Sequence, residues 1–156
     1  MKVLLFLISI ALILPFCSKK DQVPTLFTNT FSATVNGDAF EPVNIQVLYG
    51  GSSIPGAKQV NVYAMKANGH EVVLVMLDYD GTLKTFTNTI GGYRIGPGLY
   101  NASYSINGEI NISSIDKRTY NYKDGEVVTG TFHFDTDTTI GTYHLTKGKF
   151  SVFVDQ

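Results

Sequence analysis

The sequence predicts an all-β protein: an antiparallel β-sandwich of about nine or ten strands behind an N-terminal signal helix, with a closed β-barrel as the alternative. Three observations predict it. Turn dipeptides recur at Asn36-Gly37, Asn68-Gly69, Asp80-Gly81, Asn107-Gly108 and Asp124-Gly125, and such pairs suit hairpins whose central residues need positive φ. The segments between them alternate apolar and polar residues. The 3.6-residue period of an amphipathic helix is missing after Cys17.

Each segment has its own pattern. Phe31, Ala33 and Val35 share one face against Ser32 and Thr34. Val43, Ile45, Val47 and Tyr49 alternate with Asn44, Gln46 and Leu48, and Val60 and Val62 with Asn61 and Tyr63. Residues 72–77, Val-Val-Leu-Val-Met-Leu, are apolar on both faces, which predicts a central strand covered on both sides. Residues 83–87 follow a hairpin at Asp80-Gly81, and segments 100–106 and 109–115 flank Asn107-Gly108. Residues 118–122 lead through Asp124-Gly125 into 127–134, and the last pair, 141–146 and 149–154, is joined at Lys147-Gly148. Thr, Tyr, Phe, Val and Ile fill these segments, as a pleated, half-buried surface favours. In the final segment Phe150, Val152 and Val154 fall on one face and should face the core.

The N-terminus follows another logic. Lys2 precedes fourteen residues, 3–16, that are apolar apart from Ser9 and close on Pro15-Phe16. The single cysteine, Cys17, comes next, then Ser18-Lys19-Lys20-Asp21-Gln22. A bilayer-spanning helix needs about 20 apolar residues, so a charged start, short apolar core and polar exit read as an export signal. The small residues of an ordinary secretory cut are absent after the run. The pattern resembles a bacterial lipoprotein signal peptide, in which the cysteine is lipidated and becomes the mature N-terminus. Leu14 supplies that pattern's aliphatic residue at −3, whereas Phe16 stands at −1 where the pattern has a small one. The resemblance implies a signal peptide over 1–16, a lipidated Cys17 and polar tether over 17–26, and a single β domain over 27–156. An uncleaved N-terminal anchor is the alternative. Each buried CH₂ contributes about 0.8 kcal/mol and stable anchoring takes about two chains; a lipidated bacterial cysteine, palmitate included, carries at least two. Cys17 alone would then hold the domain on a bilayer.

Composition narrows the partners. Removal of residues 1–16 takes Lys2 with it, leaving eleven basic against thirteen acidic side chains, a net charge of about −2. No basic stripe appears, which argues against nucleic acid. With Cys17 committed to lipid there is no disulfide, so the domain must stand on its core, and a chain of this length buries about two-thirds of its unfolded surface.

The run Phe31-Ser32-Ala33-Thr34-Val35-Asn36-Gly37-Asp38-Ala39-Phe40, the closing elements Gly130-Thr131-Phe132-His133-Phe134, Gly141-Thr142-Tyr143 and 146–152, and the Cys17-Ser18-Lys19-Lys20-Asp21 start carry a further likeness. Over most of residues 27–155 the chain resembles the small domain-of-unknown-function β-sheet lipoproteins of Bacteroidota. That resemblance implies a lipid-anchored protein of the outer membrane, facing the cell surface or the periplasm. It transfers no catalytic residue.

Chemical constellations are sparse. The histidines are His70, His133 and His144. His133 and His144 with Asp135 and Asp137 would make a metal corner if strands brought them together, but Phe132 and Phe134 point His133 to the polar face. Asp78-Tyr79-Asp80-Gly81 lacks the Gly and Glu of an EF-hand at the sixth and twelfth places, which hold Leu83 and Thr89. No Gly-x-Ser-x-Gly, His-Glu-x-x-His or phosphate loop occurs. Tyr93, Tyr100, Tyr104, Tyr120 and Tyr122 are candidates for stacking on sugars, although Trp is absent, and half-buried cross-strand tyrosines are the plainer reading. The stretch 91–98, Gly-Gly-Tyr-Arg-Ile-Gly-Pro-Gly, reads as a loop or bulged edge and as the place to seek an exposed binding surface. The expectation is a non-enzymatic envelope lipoprotein that binds a protein or glycan, with no cofactor, metal or catalytic residue assigned. A hydrolase or metal-dependent enzyme with a spatially assembled site, and a structural envelope component, are the alternatives.

Overall fold

The computed structural model describes residues 27–52, 54–87, 90–96 and 102–156. The signal segment, Cys17 and the tether lie outside the described residues, as does Tyr100. Eleven strands follow one another: β1 Thr30–Val35, β2 Asp38–Phe40, β3 Asn44–Gly51, β4 Lys58–Met65, β5 Glu71–Leu77, β6 Thr85–Thr87, β7 Gly91–Arg94, β8 Ala102–Tyr104, β9 Glu109–Tyr120, β10 Lys123–Asp135 and β11 His144–Asp155. They form two antiparallel sheets, a six-stranded one in the order β2-β1-β11-β10-β9-β6 and a five-stranded one in the order β3-β4-β5-β7-β8. The sheets do not close into a barrel, so the architecture is the sandwich. No described helix is long and apolar enough to cross a membrane.

Alternation builds the core. On β4 the buried residues are Val60, Val62 and Ala64, on β5 Val72, Leu74 and Met76, and on β11 Phe150, Val152 and Val154. Together with Phe31, Phe40, Ile110, Phe132 and Phe134 they form one cluster between the sheets. Full burial of such a side chain contributes about 1.5–3 kcal/mol, and that apolar set stabilises the fold without a disulfide.

Two ties fix the ends of the sandwich. At one end Tyr79, just past β5, donates its hydroxyl to Glu126 Oε2 of β10 at 2.7 Å. Both residues are buried. At the other end Asp137, beyond β10, donates its amide to the Tyr104 carbonyl at 2.8 Å, and Ser105 and Thr136 form an isolated bridge. β10 has 13 residues and spans about 40 Å at 3.3 Å per residue, so the two ties mark opposite ends.

Several turn assignments need correction. Asn36-Gly37 closes the β1–β2 hairpin with φ of 51° and 91°, as its sequence predicts. Asp80-Gly81 is no hairpin: it lies where the chain crosses from β5 in one sheet to β6 in the other, and Asp80 Oδ1 accepts from the Thr82 amide and hydroxyl. Residues 109–120 form one strand, and the following turn falls at Asn121-Tyr122, with φ of 48° and 62°, leaving Asp124-Gly125 inside β10. Lys147-Gly148 does not join two strands but sits within β11, next to register shifts against β1 and β10. Lys147 takes φ 53°, and a Cβ on Gly148 would meet the Phe132 ring at 2.5 Å, so the pair forms a bulge roofed by an aromatic ring.

Candidate functional site

β5 is the middle strand of its sheet, as its two-faced apolar run predicts, but only one of its faces is covered. Val72, Leu74 and Met76 enter the core, whereas Val73 and Val75 remain half-buried on the outer face and Leu77 is exposed. The cover expected on that side is missing among the described residues.

What surrounds these valines is specific. Strand register sets Tyr63, Val73, Gly92 and Tyr104 in one row across β4, β5, β7 and β8. Three strand spacings separate the two tyrosines, about 14 Å between their backbones. Gly92 carries no side chain, and a Cβ there would meet the Ser103 carbonyl oxygen at 2.8 Å. The row is therefore walled by tyrosines and low in the middle. The neighbouring row places Glu71 opposite Arg94, and their side chains form an ion pair. Glu71 is 4% exposed. The result is a groove of about 320 Å³ lined by Tyr63, Glu71, Val73, Val75, Arg94 and Tyr104, among others. An apolar floor with a few convergent polar groups is the usual makeup of a small-ligand site.

The groove contains one carboxylate, and Arg94 already engages it. Glycoside hydrolysis uses two carboxyl groups about 5–10 Å apart. The arrangement suits binding: tyrosine faces for apolar ring surfaces, and a charged donor–acceptor pair for hydroxyls or amides.

The other expected residues scatter. Tyr104 is 58% exposed and forms a groove wall. Tyr93 turns the other way: it is buried, its hydroxyl lies 2.7 Å from His70 Nδ1, and burial raises its pKa. Tyr120 and Tyr122 belong to the β9–β10 hairpin, remote from the groove. Residues 91–94 form strand β7, not a loop, yet they do help line an exposed surface. Tyr63 was the wall that local pattern could not single out, because only the register of four strands brings it opposite Tyr104.

His144 Nδ1 lies 2.7 Å from Asp135 Oδ1, and Asn107 donates to Asp135 Oδ2 at 2.8 Å. These two hydrogen bonds, His144's foremost, hold the Asp135 carboxyl below its ordinary range. Asp137 instead accepts from the Thr139 amide. No group of three metal-ligating side chains forms among the described residues. A larger cleft, about 840 Å³, lies beside the β3–β4 connection, lined by Ile54, Pro55, Asp78 and Phe86 among others.

No protein-family model, no curated protein and no solved structure matches this chain.

Proposed function

We propose that this chain is a lipid-anchored envelope lipoprotein, held at the outer membrane through Cys17, whose sandwich is a non-enzymatic binding module for glycans. Its site is the Tyr63–Tyr104 groove. The observation that carries this reading is the uncovered face of β5: Val73 and Val75 stay in contact with solvent between two tyrosines, beside the Glu71–Arg94 pair. Sugars present apolar C–H faces and hydroxyl edges, and this lining offers a partner to each. The N-terminal pattern and the resemblance to Bacteroidota lipoproteins support the anchor.

The test is an array of bacterial and host glycans probed with the full chain, followed by titration of any hit. Tyr104→Ala should weaken binding about tenfold, equivalent to about 1.4 kcal/mol. Absence of any glycan hit, or a hit indifferent to both Tyr104→Ala and Tyr63→Ala, would reject the reading.

A further inference from the structure

Resting on the lipid-anchor reading above, we infer that the tip of the β9–β10 hairpin is a second membrane contact. Tyr122, with Tyr120 and Phe27 beside it, sits in the headgroup layer of the bilayer that holds Cys17.

The tip displays an aromatic ring that the fold does not use. Tyr122 is 95% exposed, more than any other large hydrophobic residue among those described. It also stands in the left-handed region, φ 62°, after Asn121 at 48°. A side chain resists that conformation and glycine adopts it freely. The β1–β2 hairpin answers the same demand with Asn36-Gly37. At the β9–β10 turn the chain holds a tyrosine where glycine would be easier, and its 95% exposure leaves it without cover among the described residues.

The tether reaches the domain at this same end. The Phe27 ring meets Tyr120 edge-on at 6.5 Å, and Tyr120 meets Phe153 at 5.6 Å. Asn29 Oδ1 accepts from the Phe153 amide at 2.8 Å, fixing the entering chain against β11. Ten residue steps separate Cys17 from Phe27, at most about 35 Å when extended. The acylated cysteine therefore keeps the tip close to the bilayer. A short tether raises the local concentration of the second contact to the millimolar range, so a weak interfacial contact suffices.

The chemistry of the tip selects the contact. Lys117, Arg118 and Lys123 are balanced by Asp116, Asp124 and Asp155, and Lys123 pairs with Asp155. The contact therefore rests on aromatic rings and not on net charge. Tyrosine favours the membrane–water interface, where its ring meets apolar surroundings and its hydroxyl meets water. In this arrangement the groove wall Tyr104, at the opposite end of β10, is remote from the bilayer.

The chain contains no tryptophan, so Tyr122→Trp creates a single reporter. The full chain, extracted with its lipid and reconstituted into phosphatidylcholine vesicles, should show blue-shifted emission that is quenched by lipids brominated in the acyl chain. Ile106→Trp, at the far end, should keep the emission of a water-exposed indole and escape quenching. The Tyr122→Trp result should persist at high salt and change little when anionic lipid is added. Intact mass of the same sample reports the anchor. An acylated protein whose Tyr122→Trp reporter behaves like Ile106→Trp overturns the tip contact and leaves the anchor standing. A mass without acyl groups overturns both.

Discussion

The two outer faces of this sandwich obey one folding rule and carry opposite surfaces. On the six-stranded sheet the outward row Thr30, Ser151, Thr129 and Ser114 runs beside Ser32, Lys149, Thr131 and Asn111. Hydroxyls there meet each other, as between Thr129 and Ser151 at 2.9 Å, and the rest meet water. On the five-stranded sheet the corresponding rows hold Tyr63, Val73 and Tyr104, then Leu48, Asn61 and Val75. Inward positions are mostly apolar on both sheets, Glu126 with its Tyr79 donor being the exception, so they report chiefly the fold. Outward positions are free to vary. The six-stranded sheet's outward apolar residues, Phe153 and Tyr120, form one aromatic cluster with Phe27 where the chain enters, whereas the valines between Tyr63 and Tyr104 stay uncovered among the described residues, and that is the departure that needs a function.

The sharpest test of that division lies on the inner face. Val152→Asp in the six-stranded sheet and Leu74→Ala in the five-stranded one should be comparably severe, because both residues are fully buried. Truncating Leu74 should cost about 2–5 kcal/mol, and an unpaired carboxylate at Val152 at least as much. Urea unfolding monitored by circular dichroism measures both, and a mild effect at either site would break the symmetry claimed for the core.

The tie between the sheets comes next. Tyr79→Phe leaves the buried Glu126 carboxylate without its hydroxyl donor and should cost about 1–3 kcal/mol. Burial, then the hydrogen bond to Glu126, raises the Tyr79 pKa. A raised folded pKa means the tie contributes fully below the unfolded tyrosine value of about 10 and is lost as pH rises beyond it. Wild type should therefore destabilise above pH 10 more steeply than Tyr79→Phe. Parallel alkaline limbs for the two proteins would remove the tie from the account.

These tests also show what the sequence could reveal. Strand identity and facing were legible wherever alternation was regular, as in β1, β4 and the end of β11, because period two is a local property. Turn positions were less so. Asp124-Gly125 carries the stronger turn chemistry, yet the turn falls at Asn121-Tyr122, because the pairing places Gly125 opposite Arg118 and Asp155 with the Phe153 ring 2.6 Å from where a Cβ would stand. Long-range register overrode local preference. The same limit hid half of the groove. Tyr104 could be singled out as a tyrosine in a strand, but Tyr63 faces it only because β4, β5, β7 and β8 are neighbours, and the order of strands is not written in any one segment.

Exchanging outward residues should separate function from fold. Val73→Thr with Val75→Thr keeps β-branched residues on a half-exposed face, so stability should move by only about 0.5 kcal/mol per site, while glycan binding in the groove is lost. Thr129→Val with Thr131→Val on the opposite face should leave binding intact. Calorimetric titration of the two double variants measures this, and equal losses from both would place the site elsewhere.

The smallest effect belongs to the cluster at the end of β10. The folded Asp135 carboxyl titrates below its ordinary range because His144 and Asn107 bond to it. A lowered folded pKa stabilises above the unfolded value of about 3.9 and ceases to do so as pH falls through the folded one. Asp135→Asn should flatten the acid limb of the stability curve slightly, with little change near neutral pH, since this pair is solvent-screened. The cluster ties the β8–β9 turn to β10 and β11 beside the Tyr104 end of the groove. A change in ligand affinity on the same substitution, without a change in unfolding, would make Asp135 part of the binding face and extend the contrast between the two sheets to the rim they share.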